Sequence, residues 1–316
     1  MPRVTIDDVP YEVASGTLLD ALTSVDRAVP ALCHDARLAP IGMCRLCLVD
    51  VAGFPSPVAA CATAVADGMQ IRTRTPALEA LRGTLLELLA AQYPAEAVAA
   101  SPDEPFHRLL REYRVAAADP MPSRLSVDDA HPYIRVDLNR CIACMRCVRM
   151  CADVQGQFVW RVWERGDRID VRPDSNGPLV DSGCVSCGAC VDTCPTGALE
   201  DKPFDSAQGL AQGEPPVPAE THWTTTTCPY CGTGCEMSVG VAGDRIVGVR
   251  PVLSGRVSRG HLCVKGRYAF EFNAAPDRVT TPLIRAGGEW CEASWTEALT
   301  FAARRLQAII DRDGPD

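Results

Sequence analysis

Along the first thirteen residues, apolar positions alternate with polar ones: Val4 and Ile6, then Tyr11 and Val13, on either side of the turn-forming stretch Asp7 to Pro10. That pattern predicts a hairpin. Thr17, three positions before Asp20, makes a capping-box-like start for a helix carrying Leu18, Leu19, Leu22 and Val25. Two strands, a helix and a cysteine-bearing loop predict a small α+β unit over residues 1–76.

After Pro76 the period changes. Leu78, Leu81, Leu85, Leu88 and Leu89 recur at helical spacing between Ala77 and Ala91, and a second short helix is expected from Phe106 to Tyr113. Residues 77–125 therefore read as a helical spacer whose apolar side chains pack onto the flanking units. Over 126–202, Phe158, Trp160, Val162 and Ile169 alternate within an insertion and predict strands. Residues 203–223, with their Gly, Pro and Gln content, read as a loose linker.

From Thr224 a strand from Met237 to Val241, a turn over Ala242 to Asp244 and a strand from Arg245 to Val249 are expected within a unit spanning 224–280. Residues 281–316 end in a helix from Ser294 or Thr296 to Ile310, which would open a further domain. The fold class is α+β and multi-domain.

Composition sharpens this picture. The formal charge of the 316 residues is -9, and Lys and Arg are scattered without a basic block, so nucleic acid is excluded as an expected partner. No apolar run is long enough to cross a bilayer, and Met1 to Pro10 carry no secretion or twin-arginine signal. The chain is therefore expected to be cytoplasmic. There disulfides are rare, so a dense cysteine pattern points to metal in preference to a secreted disulfide scaffold.

Sixteen of the 17 cysteines fall into four groups of four. The first is Cys33, Cys44, Cys47 and Cys61. The second is Cys141, Cys144, Cys147 and Cys151, and the third is Cys184, Cys187, Cys190 and Cys194. The fourth is Cys228, Cys231, Cys235 and Cys263.

The second and third groups repeat one pattern, C-x2-C-x2-C-x3-C, and Pro195 follows the last cysteine, which is the bacterial two-cubane ferredoxin signature. In that pattern the fourth cysteine of each run ligates the other cluster. The expected sets are Cys141, Cys144, Cys147 with Cys194, and Cys184, Cys187, Cys190 with Cys151. The first group fits a 2Fe-2S centre, with Gly42 letting backbone N–H groups approach the sulfurs. Zinc is the competing occupant of such thiolate sites.

The first group, in HDARLAPIGMCRLCLVDV, has ten residues between Cys33 and Cys44. That gap resembles the N-terminal ferredoxin-like domain of the large complex I subunit, of iron-only hydrogenases and of NAD-linked formate dehydrogenase catalytic subunits, which implies a β-grasp fold. Those families usually carry a one-histidine, three-cysteine motif next. Here no cysteine lies between Cys61 and Cys141, so His107 reads as an ordinary surface or helix-face residue.

The fourth group, in TTTTCPYCGTGCEMSV with Cys263 later in SRGHLCVKGRYAF, resembles the small 4Fe-4S domain of the Mo/W bis-MGD molybdopterin oxidoreductases. CPYCGTGC is particularly like formate dehydrogenases and some assimilatory nitrate reductases. The resemblance implies that Lys265 binds between cluster and pterin cofactor. Cys291 belongs to no group and is expected to pack as a small hydrophobe.

Together these resemblances imply the N-terminal part of a cytoplasmic, NAD-linked formate dehydrogenase catalytic subunit. It would carry one 2Fe-2S cluster, three 4Fe-4S clusters, and Mo or W bis-MGD bound largely by residues beyond Asp316. Electrons from formate oxidation to carbon dioxide would pass to a flavin and NAD-binding diaphorase-type partner. Complex I's large subunit is set apart by the missing histidine-cysteine motif and by the two-cubane segment. The alternatives are a stand-alone iron-sulfur electron carrier and a fragment of an assimilatory nitrate reductase.

Overall fold

The computed structural model describes residues 1–119, 125–166, 169–202 and 220–315. The expected linker at 203–223 lies outside the described residues up to position 219.

The first unit is a five-stranded sheet with one helix across it. Strands β1 (Arg3–Ile6) and β2 (Val9–Glu12) form the expected hairpin, and α1 (Leu18–Ser24) follows. Then come β3 (Leu48–Val51), β4 (Val58–Ala59) and β5 (Gln70–Arg72), in the sheet order β2-β1-β5-β3-β4, with β5 parallel to β1. Thr17 and Asp20 close a reciprocal capping box, which satisfies backbone donors at the start of α1. The helix lays Leu18, Leu19 and Leu22 on Val4, Ile6, Val49 and Ile71 of the sheet.

Helix α2 (Pro76–Ala90) begins at an N-capping Thr75 with proline in the first turn. The leucine repeat does not all face inward: Leu78 and Leu86 are buried, whereas Leu81 and Leu88 are exposed. Arg82 takes an inward position instead. Its guanidinium donates to the carbonyls of Leu46, Leu48 and Thr73, which satisfies the loop before β3 and the end of β5. A further helix, α3 (Ala95–Ala100), precedes α4 (Pro105–Tyr113). Alanine-rich α3 has too little apolar contrast to announce itself.

In the next unit, β6 (Ile134–Val136) pairs with the distant β9 (Leu199–Asp201), bringing the ends of the two-cubane segment together. Between them lie α5 (Arg146–Arg149), the hairpin β7 (Trp160–Trp163) with β8 (Asp170–Pro173), and α6 (Ala189–Thr193). Of the alternating insertion residues, only Trp160 turns inward; Phe158, Val162 and Ile169 are exposed.

The fourth unit is a three-stranded antiparallel sheet of β10 (His222–Thr227), β11 (Glu236–Ala242) and β12 (Arg245–Pro251), followed by α7 (Val264–Tyr268). The hairpin β13 (Leu283–Ala286) with β14 (Glu289–Glu292) and helix α8 (Trp295–Asp313) complete the described chain. Among the described residues, no helix is long and apolar enough to cross a membrane.

Candidate metal centres

All 17 cysteines are free thiols. In the first group, Cys33, Cys47 and Cys61 are buried, and the Cys44 N–H donates to Cys33 Sγ at 3.4 Å. The thiols pair as Cys44 with Cys33 and Cys61 with Cys47. The sulfur that accepts in each pair, Cys33 or Cys47, has its pKa lowered, and the donor of each pair is pushed up. Gly42, at φ +61, turns the chain into this group.

The second and third groups share one local geometry. Ala143 and Met145, between cysteines of the second group, take positive φ, and so do the equivalent Ser186 and Gly188 of the third. These left-handed residues curl each run around its cysteines. The Ala143 N–H then meets Cys141 Sγ at 3.4 Å, and the Ser186 N–H meets Cys184 Sγ at 3.3 Å. Such N–H contacts stabilise a thiolate.

Two cavities follow from this. Cys141, Cys144, Cys147 and Cys194 line one, which encloses about 390 Å³ of empty space partly open to solvent, and Cys151, Cys184, Cys187 and Cys190 line the other, of about 330 Å³. The last cysteine of each run has therefore crossed to the other run's cavity. Burial raises Cys141 up to about 12 and Cys144 up to about 11. As free thiols they are protonated at neutral pH, so metal binding must release protons.

In the fourth group, Cys235 lies close enough to Cys228, Cys231 and Cys263 to feel their charge. Cys228 is buried against Gly266, where an added Cβ would come within 3.3 Å of its sulfur. Lys265 is exposed on α7, and its charge reaches Cys231.

The groups also neighbour one another in chain order: Cys33 acts electrostatically on Cys144, and Cys190 on Cys147. Among the described residues, no three His, Cys, Asp or Glu side chains close around a single ion. Thiols spread around the walls of a cavity suit a polynuclear cluster better than one tetrahedral zinc. On that test the donor sets of the second and third groups fit iron-sulfur clusters.

Two expectations are corrected. His107 is fully buried: a backbone carbonyl can only accept, so Nδ1 donates to Ser101 O at 2.5 Å and Nε2 faces the Tyr93 hydroxyl at 2.6 Å. The Tyr93 hydroxyl also reaches Thr196 O, so His107 helps clip the spacer to the third group's loop. Cys291 does not pack as a small hydrophobe but is exposed on β14.

Sequence reasoning missed the residues between the groups. Asp35 accepts from Arg37, from Arg146 Nη2 at 3.1 Å and from Thr193 Oγ1 at 2.8 Å, while Arg37 also reaches Gly260 O at 3.0 Å. Burial pushes the Asp35 carboxyl up, but the bonds from Arg37 and Thr193 outweigh it and hold the pKa well below the usual carboxylate range. Arg267 is buried between Asp192 and Asp201. Each of these residues stands near a candidate ligand in sequence, which is the only signal they gave.

Such a succession of cysteine-rich sites, ending in a small three-stranded unit, is the pattern of an iron-sulfur protein. Residues 2–76 match the 2Fe-2S iron-sulfur cluster binding domain, 131–200 the ferredoxin-like domain of NADH-quinone oxidoreductase subunit 3, 221–274 the Molybdopterin oxidoreductase Fe4S4 domain, and 278–316 the Molybdopterin oxidoreductase family. The chain thus carries N-terminal iron-sulfur domains and molybdopterin oxidoreductase domains in one α+β assembly.

An NADH-quinone oxidoreductase subunit of Rhizobium meliloti is 37% identical over 97% of this chain and 35% of its own length. The NADPH-Fe(3+) oxidoreductase subunit alpha of Geobacter sulfurreducens is 30% identical over 100% of this chain and 36% of its own. A provisionally named formate dehydrogenase of Staphylococcus aureus is 27% identical over 99% and 35%. The chain thus spans about a third of the length of these relatives.

Among solved structures, a chain of an NAD+-reducing [NiFe]-hydrogenase in its H2-reduced state superposes with a TM-score of 0.54 at 27% identity, covering 66% of this chain and 89% of that one. The match over residues 131–200 and the Rhizobium relative extend this chain's similarity to NADH-quinone oxidoreductase subunits.

Proposed function

We propose that this chain is the iron-sulfur electron-transfer portion of a molybdopterin-dependent formate dehydrogenase. The observation that carries the electron-transfer reading is the unbroken spatial order of the four cysteine groups, each neighbouring the next. The formate reading rests on CPYCGTGC, CVKG and the Staphylococcus relative.

The units we assign are a β-grasp 2Fe-2S domain at 1–76, a spacer at 77–125, a two-cubane domain at 126–202, a linker at 203–223, a 4Fe-4S domain at 224–280 and the start of the pterin domain at 281–316. Cys33, Cys44, Cys47 and Cys61 would hold a 2Fe-2S cluster. Cys141, Cys144, Cys147 and Cys194 would hold one cubane, Cys184, Cys187, Cys190 and Cys151 a second, and Cys228, Cys231, Cys235 and Cys263 a third. When bound, such clusters supply one-electron redox chemistry at potentials tuned by charge, hydrogen bonds and exposure.

The protein's own part is to hold these sites in register. Asp35 ties the first group to the second, Arg267 ties the third to the fourth, and the N–H groups of Ala143 and Ser186 favour the thiolate form of their cysteines. Lys265, exposed beside the fourth group, would meet the anionic edge of Mo or W bis-MGD. The setting is the cytoplasm, and the partner a flavin and NAD-binding subunit.

A second reading is favoured by the higher identity of the Rhizobium relative: a quinone-linked NADH oxidoreductase subunit running the same clusters. The test is substrate-dependent reduction in the full-length protein. Formate-driven bleaching of the cluster absorbance supports the first reading, whether or not NADH also bleaches it through the partner. Bleaching by NADH through the partner, with formate inert, supports the second.

A further inference from the structure

Arg267, two residues past Lys265, is among the largest side chains that are wholly buried, although it carries a permanent charge. Its Nη1 donates to Asp192 Oδ2 at 2.8 Å, its Nη2 to Asp201 Oδ2 at 2.7 Å and its Nε to Asp201 Oδ1 at 3.2 Å. Asp192 lies on α6 between Cys190 and Cys194, and Asp201 ends β9. One guanidinium on the fourth unit is thus clasped by two carboxylates of the two-cubane unit.

The neighbouring residues complete the joint. Tyr268 donates to Asp201 Oδ1 at 2.7 Å and stacks on Tyr133 with ring centroids 4.6 Å apart. The guanidinium lies directly on the backbone of Gly188, between Cys187 and Cys190, where a Cβ would stand 2.3 Å from Nε and 2.7 Å from Cζ. Gly188 also sits at φ +72, so the position favours glycine on two independent grounds. The Arg267 charge reaches Cys187.

We infer that Arg267 is a positioning residue that seats the fourth cysteine group against the third and sets the charge felt by the centre held at Cys184, Cys187, Cys190 and Cys151. The inference rests on the cluster reading proposed above, but not on formate as substrate. A burial this complete is costly for a residue that serves only as a tether, because a hydrophobic joint of equal size does as well. What the ion triad adds is a fixed cation over one cluster loop, and net charge is one of the levers on cluster potential.

The test is a dithionite-poised redox titration of the reconstituted chain, read by electron paramagnetic resonance. The cubane signal that Cys184→Ser removes identifies the third centre. Arg267→Met, which deletes the cation, is expected to make that centre harder to reduce, by about tenfold in its reduction equilibrium or about 59 mV. Asp201→Asn, of the same shape but leaving the cation less neutralised, is expected to move it the other way. The centres of the first and second groups, away from Arg267, should hold their midpoints.

Opposite shifts from the two variants, with iron and sulfide contents equal to wild type, support the inference. Unchanged midpoints, or shifts of the same sign, overturn it, since disruption of the joint alone has no charge sign. If Arg267→Met fails to retain clusters, the direction of the Asp201→Asn shift decides. A wild-type chain that takes up no iron or sulfide overturns the cluster reading itself, and this inference with it.

Discussion

Thr193 Oγ1 donates to Asp35 Oδ2 at 2.8 Å, joining residues 158 positions apart that each lie within two residues of a candidate ligand, Cys194 and Cys33. Arg146, next to Cys147, donates to Thr193 Oγ1 at 2.9 Å and to the same Asp35 oxygen at 3.1 Å. One buried carboxylate therefore organises the approach of the first cysteine group to the second. Asp35→Ala leaves the Arg37 and Arg146 guanidinium groups without their buried partner and is expected to cost about 3–5 kcal/mol. Denaturant unfolding should show this loss, and Asp35→Asn, which keeps acceptor oxygen but not charge, should show a smaller one.

The cysteine groups and the strands of three hairpins were legible in the sequence because their signals are local. A C-x2-C-x2-C-x3-C run, a Thr17 to Asp20 capping box and a Met237 to Val249 hairpin each need only a few neighbouring residues to be read. Asp35, Arg82, His107 and Arg267 were not legible, because a polar residue gives the same local pattern whether it is solvated or paired with a distant one. His107 on its helix gave no sign of Tyr93 or Ser101 as partners. Leu81 and Leu88 failed for the converse reason: a leucine repeat defines one stripe, but Arg82 took an inward position by finding three backbone carbonyls.

Gly188→Ala is expected to weaken the joint between the third and fourth groups. The new methyl group meets the Arg267 side chain at 2.3 Å, and the backbone at φ +72 adds strain. Together these should destabilise the protein by several kcal/mol, strain of this kind being worth about 1–3 kcal/mol and overpacking about 1–3 more. Gly156→Ala, also at positive φ but with nothing within 4 Å of its Cβ, should show the strain alone. Thermal unfolding of the two variants separates the steric part from the conformational part.

Acid should destabilise the spacer through His107. Burial lowers its pKa below the ordinary 6.5, against the opposing bond to Ser101 O, so the folded state prefers the neutral ring. Between 6.5 and the lowered folded value, the unfolded chain binds a proton that the folded chain does not. Stability is therefore full above 6.5 and falls as pH drops towards the folded pKa, by at most about 1.4 kcal/mol per pH unit for this group. His131 and His261 are lowered by burial too and add slopes of the same sign. Urea unfolding of wild type and His107→Gln across this range should show a shallower slope in the variant, the difference being the share of His107.

Cysteine substitution tests how the two central cavities divide their thiols. If ligation followed sequence runs, Cys151→Ala would damage the same centre as Cys141→Ala. Cys151 instead lines the cavity of Cys184, Cys187 and Cys190, and Cys194 lines that of Cys141, Cys144 and Cys147. The charges agree, since Cys194 acts on Cys141, Cys144 and Cys147, and Cys151 acts on Cys184, Cys187 and Cys190. Cys194→Ala is therefore expected to remove or convert the cubane that Cys141→Ala removes, and Cys151→Ala the one that Cys184→Ala removes. Each loss is on the order of four iron atoms per chain, or one if a three-iron remnant persists. Paramagnetic resonance of the four variants, paired by which signal disappears, distinguishes crossed from run-by-run ligation, and pairing of Cys151 with Cys141 would overturn the crossed assignment.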